Sequence, residues 1–397
     1  MEGESRPCVA ARARRRSVTS VKGSPEIYLD NAATTPLRPA ALRAMMDCSR
    51  RFYGNPSSWH RKGVEASRAV EKSRRILALA LGCEPDEIVF TSGGTEANNL
   101  AVKGVARALG RRRAHAVVSA VEHPSVAAAV QSLKARGWSI TVVKTDEDGM
   151  VAPRRVAEAL TSSTALVSVM HANHEIGTIE PIAEIGRLCR RAGVLFHSDA
   201  CQSFMKEPLD LRRVAVDLVS VNAHKLHGPK GVGALVARRG SSLAPLLDGG
   251  GQEGGRRSGT HNTPAIAGFA AAVEDSDPGA PEKMRRLRDR LFAALVRTIP
   301  GLSLNGPRHG RLCSHLNLLL PGLQAKPFLQ KLSAAGIYAS AGAACSSAKT
   351  TPSPVLLAIG RTPEQASCSV RLSLSRSTTP SQIDAAARTM ASLARGL

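Results

Sequence analysis

Between residues 60 and 240 the chain switches repeatedly between apolar residues at helical spacing and short, continuous apolar runs. Val64 to Leu81 carries the helical spacing, and Glu87-Ile-Val-Phe90 follows as a short buried strand. The alternation continues with a helix over Glu96–Leu109, a strand at Ala116-Val-Val-Ser119, a helix after Pro124 and a strand over Ser139–Lys144. A helix at Pro153–Leu160, a strand at Ala165–Met170 and a helix at Ile182–Ala192 come next. Extended runs then fall at Val194-Leu-Phe196, Leu218-Val-Ser220 and Gly231-Val-Gly-Ala-Leu-Val236. Such a pattern predicts crossover units around a mostly parallel sheet. Residues 264–300 read as helical, broken by the turn-rich Asp275-Ser-Asp-Pro-Gly279. Beyond them, short strands at Leu316–Leu320 and Ser369–Leu374 mix with helices, and a last helix follows Pro380. The expected fold class is therefore α/β. A large domain would span 26–263, a smaller α+β domain 264–397, and residues 1–25, basic and without apolar periodicity, would form a disordered tail.

Composition narrows the function classes. With 43% hydrophobic and 22% charged residues, the 397-residue chain is not a disordered protein. No apolar run reaches the roughly 18 residues needed to span a bilayer, so no membrane role is expected. The 54 Lys and Arg against 32 Asp and Glu give a net charge of +22, which permits docking to acidic partners. Specific nucleic-acid binding is not expected, because aromatics are only 3% and no recognition motif appears. The eight cysteines contain no C-x-x-C pair and are too dispersed for a disulfide framework. They point instead to a reducing, cytoplasmic setting with mostly buried thiols, and no metal site is expected. A secretory signal is excluded, since the tail has no apolar stretch.

Three elements carry chemistry. Thr91-Ser-Gly-Gly-Thr-Glu-Ala97 lies between a strand and a helix, the arrangement that presents backbone N–H groups and a positive dipole end to a phosphate. In Phe196-His-Ser-Asp-Ala-Cys-Gln202, Asp199 sits just beyond a strand's carboxyl end, where ligands bind in parallel sheets. Ala223-His-Lys-Leu-His-Gly-Pro-Lys-Gly231 places Lys225 in a loop after a strand. Together, a phosphate cradle, a strand-end carboxylate and a later lysine are the equipment for pyridoxal phosphate (PLP). The lysine amine forms the Schiff base, and the carboxylate keeps the pyridine nitrogen protonated so that the ring acts as an electron sink.

At these residues the chain resembles the PLP-dependent cysteine desulfurases of the NifS/IscS type, within the class V aminotransferase fold group. The resemblance covers about residues 26–395 and implies the fold type I architecture of PLP enzymes. It rests on Tyr28-Leu-Asp-Asn-Ala-Ala-Thr-Thr-Pro36, Gly54-Asn-Pro-Ser-Ser58, Thr91–Glu96, Glu122-His123, Asn173-His-Glu-Ile-Gly177 and His197–Ala200 with Gln202. It continues through His224-Lys225, Arg257-Ser-Gly-Thr260, Ala344-Cys-Ser-Ser347 with Pro352-Ser353, and Val370-Arg-Leu-Ser373.

The resemblance also implies roles. Lys225 is similar to the Schiff-base lysine, Asp199 to the partner of the pyridinium nitrogen, and Gln202 to the residue bonding the ring hydroxyl. His123 matches the imidazole stacked on the ring, which helps move protons. Gly94, Thr95 and His224 match phosphate contacts. Thr260 matches a phosphate contact donated by a neighbouring subunit, which implies a homodimer with shared active sites. Arg371 matches the arginine that holds the substrate carboxylate, with Asn173 expected beside the substrate. Two positions depart from the common pattern: His174 stands where Asn is usual, and Asn222 where a phosphate-binding Ser is usual. Cys345, in the small-residue loop Ala341-Gly-Ala-Ala-Cys-Ser-Ser347, matches the mobile nucleophile of the long-loop group.

The implied activity is cysteine desulfuration. L-Cysteine yields L-alanine and a persulfide on Cys345, whose sulfur passes to an iron–sulfur scaffold or a tRNA-thiolation relay. Selenocysteine lyase is the near alternative, and an ordinary class V aminotransferase the more distant one.

Overall fold

The computed structural model describes residues 26–110, 113–342 and 351–395. The tail 1–25 and Cys345, the expected nucleophile, lie outside the described residues.

The chain opens with β1 (Ile27–Tyr28) and helices α1 (Pro39–Arg51) and α2 (Arg61–Leu81). The alternating stretch then runs β2 (Ile88–Thr91), α3 (Gly94–Leu109), β3 (His115–Ser119), α4 (Pro124–Ser132) and β4 (Ser139–Val143). It goes on through α5 (Pro153–Ala159), β5 (Thr164–Ser168), α6 (Ile182–Ala192), β6 (Leu195–Asp199), β7 (Leu218–Asn222) and β8 (Gly233–Ala237). Next come α7 (Thr263–Glu274), α8 (Ala280–Thr298), β9 (Ser303–Leu304), β10 (His315–Leu319) and α9 (Ala325–Ala334). The last elements are β11 (Ile337–Tyr338), α10 (Pro354–Ala358), α11 (Pro363–Ser367), β12 (Ser369–Ser373) and α12 (Pro380–Arg395). Proline occupies the first or second position of α1, α4, α5, α7, α8, α10 and α11. There its fixed φ suits the helix and its missing N–H costs nothing.

Seven strands form one sheet in the order β2-β8-β7-β6-β5-β3-β4. Strand β8 alone runs against the others, since it pairs antiparallel with both β2 and β7 while the remaining neighbours are parallel. This is the mostly parallel α/β sheet that the sequence predicts. Alternate residues of a strand face opposite sides, so Phe90, Val117 and Val167 join one apolar cluster with α2, α6 and α7. Val89, Ala116 and Leu166 join another with α3 and α4. Both faces are covered, as a parallel sheet requires.

A third cluster builds the C-terminal layer. There Leu287, Leu291 and Leu295 line one face of α8, packing with Ile383 and Met390 of α12 against the antiparallel β12-β10-β9 sheet. The clusters differ from the sequence division at residue 264 in two places. Ile266, Phe269 and Ala270 of α7 pack in the first cluster, because α7 lies along α1 and α2. Ile27 and Leu29 pack in the C-terminal cluster, because β1 pairs with β11. No helix among the described residues is long and apolar enough to cross a membrane.

Candidate active site

The parallel strands deliver their carboxyl ends to one edge of the sheet, and the chemistry collects there. From β2 the chain turns through Ser92 and Gly93 into α3, whose first residues are Gly94 and Thr95. Strand β3 leads to His123 at the start of α4, β5 to Met170 and His174, β6 ends on Asp199, and β7 ends on Asn222 before His224 and Lys225. Gly94, Thr95, His123, His174, Asp199, Gln202, Asn222, His224 and Lys225 all line one cavity, about 560 Å³ of space partly open to solvent.

Gly94 is required by close approach. A Cβ there would stand 2.5 Å from Cys201 Sγ and 3.3 Å from Asn222 Nδ2, so any larger residue would push α3 away from the ends of β6 and β7. The turn is pinned from outside as well: Glu96 Oε2 accepts from the Ser92 N–H at 2.7 Å, and Arg257 Nε donates to Glu96 Oε1 at 2.8 Å.

A hydrogen-bond chain runs beneath the cavity. Asp199, 5% exposed, accepts from the Cys201 N–H at 2.9 Å and from Asn98 Nδ2 at 2.7 Å. Asn98 Nδ2 also donates to Ser125 Oγ at 2.9 Å, and that hydroxyl lies 2.7 Å from His123 Nδ1. The Ser125 N–H donates to the same Nδ1 at 3.1 Å, which leaves the ring proton on Nε2. Burial, with help from His174 and Lys225, pushes the His123 pKa down to about 3. Burial works to raise the Asp199 pKa, but His123 and the bonds from Cys201 and Asn98 more than offset it, leaving the carboxyl below its ordinary value. Because His123 is neutral near pH 7, its charge cannot be what keeps Asp199 ionised there; the N–H donors do. His224 is likewise neutral, pushed to about 4 by burial and then Lys225, and its Nδ1 lies 3.2 Å from Thr34 Oγ1.

The cavity fits PLP. Gln202 spends Nε2 on the Ala32 carbonyl at 2.9 Å, leaving Oε1 buried without a partner. Asn222 Oδ1 and both ring nitrogens of His174 are also buried and unpartnered among the described residues. Unpaired buried polar atoms are costly, and these surround one space beside an ionised carboxylate, a lysine and a helix N-terminus. A phosphorylated pyridine has a ring hydroxyl that could donate to Gln202 Oε1 and oxygens that a His174 nitrogen could bond.

Three expected residues sit elsewhere. The Asn173 amide is fully used: Nδ2 donates to the Val121 carbonyl, and Oδ1 accepts from the N–H groups of Glu175 and Ile176. It holds its own turn and does not face the cavity, so the substrate-contact role expected for it does not fit. Arg371, 1% exposed, donates Nη1 to the His174 carbonyl and Nη2 to Asp30 Oδ1, both at 2.9 Å, and keeps Nε unpartnered. Thr260 is exposed and lies with Tyr53, Asn55 and His261 at a separate surface recess. Sequence reasoning missed Asn98 and Ser125. Asn98 stands one helical turn after Gly94, a polar residue on the buried face of α3, and that was the available signal.

The chain belongs to the class-V aminotransferase family, whose model matches residues 27–386 and whose members use PLP. Within it, the chain is 42% identical over 363 residues to the cysteine desulfurase IscS of Dictyoglomus turgidum, covering 90% of this chain and 92% of that one. Among solved structures it is similar to a NifS-like protein (TM-score 0.88, 34% identity, 94% of this chain and all of the other). It is also similar to SspA in complex with cysteine (TM-score 0.80, 33% identity, 89% of this chain and all of the other).

Proposed function

We propose that this protein is a cysteine desulfurase that converts L-cysteine to L-alanine and leaves a persulfide on Cys345. The carrying observation is the convergence of Lys225, Asp199 and His123 on one cavity lined by unpaired polar atoms. The relatives named cysteine desulfurase and the similar structure holding cysteine support the same substrate.

PLP, when bound, supplies an electron sink that acidifies the Cα–H of an amino acid and weakens its Cβ–S bond. The first turn of α3 and His224 would hold the phosphate, Asp199 the ring nitrogen, Gln202 and His174 the ring hydroxyl, and Lys225 the aldehyde carbon. The Lys225 amine, lining the same cavity, would be the base for the Cα proton. His123, neutral with its one ring proton on Nε2, would donate a hydrogen bond from that N–H into the cavity. Arg371, fixed by Asp30 and the His174 carbonyl, keeps Nε–H unpartnered and would be the donor for the substrate carboxylate. The Cys345 thiolate attacks the substrate sulfur: an S–S bond forms, the Cβ–S bond breaks, and its electron pair stays with carbon, which is protonated to give alanine.

The sulfur then passes to an acceptor protein in the cytoplasm, a scaffold for iron–sulfur clusters or a thiolation relay. The basic surface suits an acidic partner. Thr260, exposed and outside its own chain's cavity, suits a phosphate contact given to a second copy, hence a homodimer. The test is to incubate the purified protein with L-cysteine and measure alanine and protein persulfide. Cys345→Ser should keep the bound cofactor's visible band and lose both products; alanine at near wild-type rate from that variant overturns the reading. A far higher rate with selenocysteine than with cysteine would favour the lyase.

A further inference from the structure

Residues 30–36 run between the sheet that carries the cavity and the C-terminal layer, and they bond to both. On one side Asp30 Oδ1 accepts from Arg371 Nη2 at 2.9 Å, and Asn31 Nδ2 donates to the Ser373 carbonyl at 2.8 Å, both partners standing on β12. On the other side the Ala32 carbonyl accepts from Gln202 Nε2, and Thr34 Oγ1 lies 3.2 Å from His224 Nδ1. Thr35 reaches furthest into the loop of Lys225. Its N–H and its hydroxyl both donate to the His224 carbonyl, at 3.0 and 2.8 Å. The same hydroxyl oxygen accepts from the His227 N–H at 2.9 Å. Thr35 is 4% exposed, so bulk water does not compete for these bonds.

The loop is tightly wound. The N–H groups of Leu226 and Gly228 both donate to the Ala223 carbonyl, at 3.1 and 3.0 Å, and His227 takes φ +69°. A left-handed backbone is costly for a residue with a side chain, and it persists only where the surroundings dictate it. Here the Thr35 hydroxyl takes the His227 N–H, the Pro36 carbonyl lies 3.0 Å from His227 Nδ1, and the Arg38 N–H donates to the His227 carbonyl. Lys225 stands between the two residues that Thr35 pins. It borders space on two sides: the cavity that holds Asp199 and His123, and a recess of about 460 Å³ lined also by Thr35, Lys206 and His227. Space on both sides gives packing little hold on the lysine chain, so the backbone that carries it matters more.

We propose that Thr35 is the positioning residue of Lys225: its hydroxyl, donor to His224 and acceptor from His227, closes the loop across the lysine and sets the point from which the amine reaches the cavity. The task needs a hydroxyl, which carries a donor and acceptor lone pairs on one atom. Branching at Cβ restricts χ1 and so holds that atom between its two partners. The Thr35 N–H keeps its bond to the His224 carbonyl whatever the side chain is. The hydroxyl's separate contribution is therefore the His227 end, where the backbone is left-handed. The inference deepens the proposed cofactor site and rests on Lys225 being its lysine.

The test compares Thr35→Val, which keeps the shape and loses the hydroxyl, with Thr35→Ser, which keeps the hydroxyl. The covalent link to PLP forms when the lysine amine condenses with the aldehyde carbon and water leaves. Stopped-flow mixing of cofactor-free protein with PLP reads the rate of that step in the visible band, and borohydride trapping identifies the lysine. Pyridoxine phosphate, which has no aldehyde, reads binding alone. Misplacing a reacting group by about 1 Å costs up to about 100-fold in rate, so Thr35→Val should link at least about tenfold more slowly while binding pyridoxine phosphate within about twofold of wild type. Thr35→Ser should bring the rate back to within about threefold of wild type. Hydrogen exchange followed by mass spectrometry should find the His227 amide protected in the wild type; exchange there at the rate of an unbonded loop overturns the proposal with no variant needed. So does Thr35→Val linking at the wild-type rate, a slow rate matched by an equal loss of pyridoxine phosphate affinity, or a Thr35→Ser that restores nothing. A wild-type adduct on another lysine overturns the site reading and this proposal together, whereas alanine formation from L-cysteine bears on the desulfurase reading alone.

Discussion

Glu253→Gln tests how the loop carrying Thr260 is held to the sheet. The Glu253 carboxylate takes a two-pronged pair from Arg74, Nη1 to Oε2 at 2.8 Å and Nη2 to Oε1 at 2.7 Å. It also accepts from the Phe90 N–H at 2.7 Å, and His261 Nε2 lies 2.5 Å from Oε1. Burial works to raise its pKa, but Arg74 and His261 prevail and carry it from 4.5 down to about 2. At about 1.4 kcal/mol per unit, this depression is worth about 3 kcal/mol of folding stability. Because the folded value is the lower one, the contribution is complete above the unfolded pKa near 4.5 and is lost as pH falls toward 2. Glutamine keeps the shape but removes the buried charge partner of Arg74, whose side chain is 9% exposed, leaving it only the more exposed carboxylate of Glu71. Urea unfolding should therefore find the variant about 3 kcal/mol less stable at pH 7, with the gap narrowing at pH 3. Cofactor affinity should fall too, since Arg257 of the same loop braces Glu96 at the start of α3. A variant within about 1 kcal/mol of wild type at pH 7, or a gap unchanged by acid, would refute the reasoning.

Borohydride reduction followed by peptide mass spectrometry should attach the cofactor to the peptide containing Lys225, and Lys225→Ala should abolish that adduct and turnover; an adduct on Lys230 instead would show that the wrong lysine is named. Gly94→Ala should weaken cofactor binding by about 1–3 kcal/mol through its clash with Cys201 Sγ, and adding Cys201→Ala should recover most of the loss. Deleting residues 1–22 should leave cofactor content and alanine formation unchanged, because the described packing begins at Ile27 in β1; a large drop in either would make the tail structural.

Local patterning made much of this fold legible. The helix read over Ile182–Ala192 has those bounds, and the helix read from Val64 begins only three residues earlier, at Arg61. Strand β6 runs past the apolar run Val194–Phe196 to Asp199, because its polar residues are paired inside the sheet. His197 Nδ1 and Nε2 lie 2.8 Å from Ser168 Oγ and 3.0 Å from Ser220 Oγ, so a buried polar strand looks like a loop to hydrophobicity alone. Helix α1 went unread because only Ala41 and Cys48 of its residues are buried, too few to mark an apolar face. The order that puts β8 between β2 and β7 is set by long-range pairing, and the Arg74–Glu253 pair spans 179 residues. In the site, motif matching named the residues that line the cavity. It misjudged Asn173 because a motif records identity and not where an amide's hydrogen bonds are spent.

Those bonds explain why two neighbouring groups can hold opposite proton states without relying on each other's charge. Asp199 must stay ionised to serve a protonated ring nitrogen, while a neutral His123 offers the cavity a single N–H donor. The same amide serves both ends: Asn98 Nδ2 donates to the Asp199 carboxylate and to Ser125, whose backbone N–H occupies the nitrogen of His123 where a second proton would go. Asn98 rides on α3, one turn from Gly94, so the helix whose first turn would hold the phosphate also sets the proton state at the ring nitrogen. A displacement of α3 would then weaken phosphate binding and ring protonation together. The tight fit of Gly94 against Cys201 is what keeps that helix in register with both.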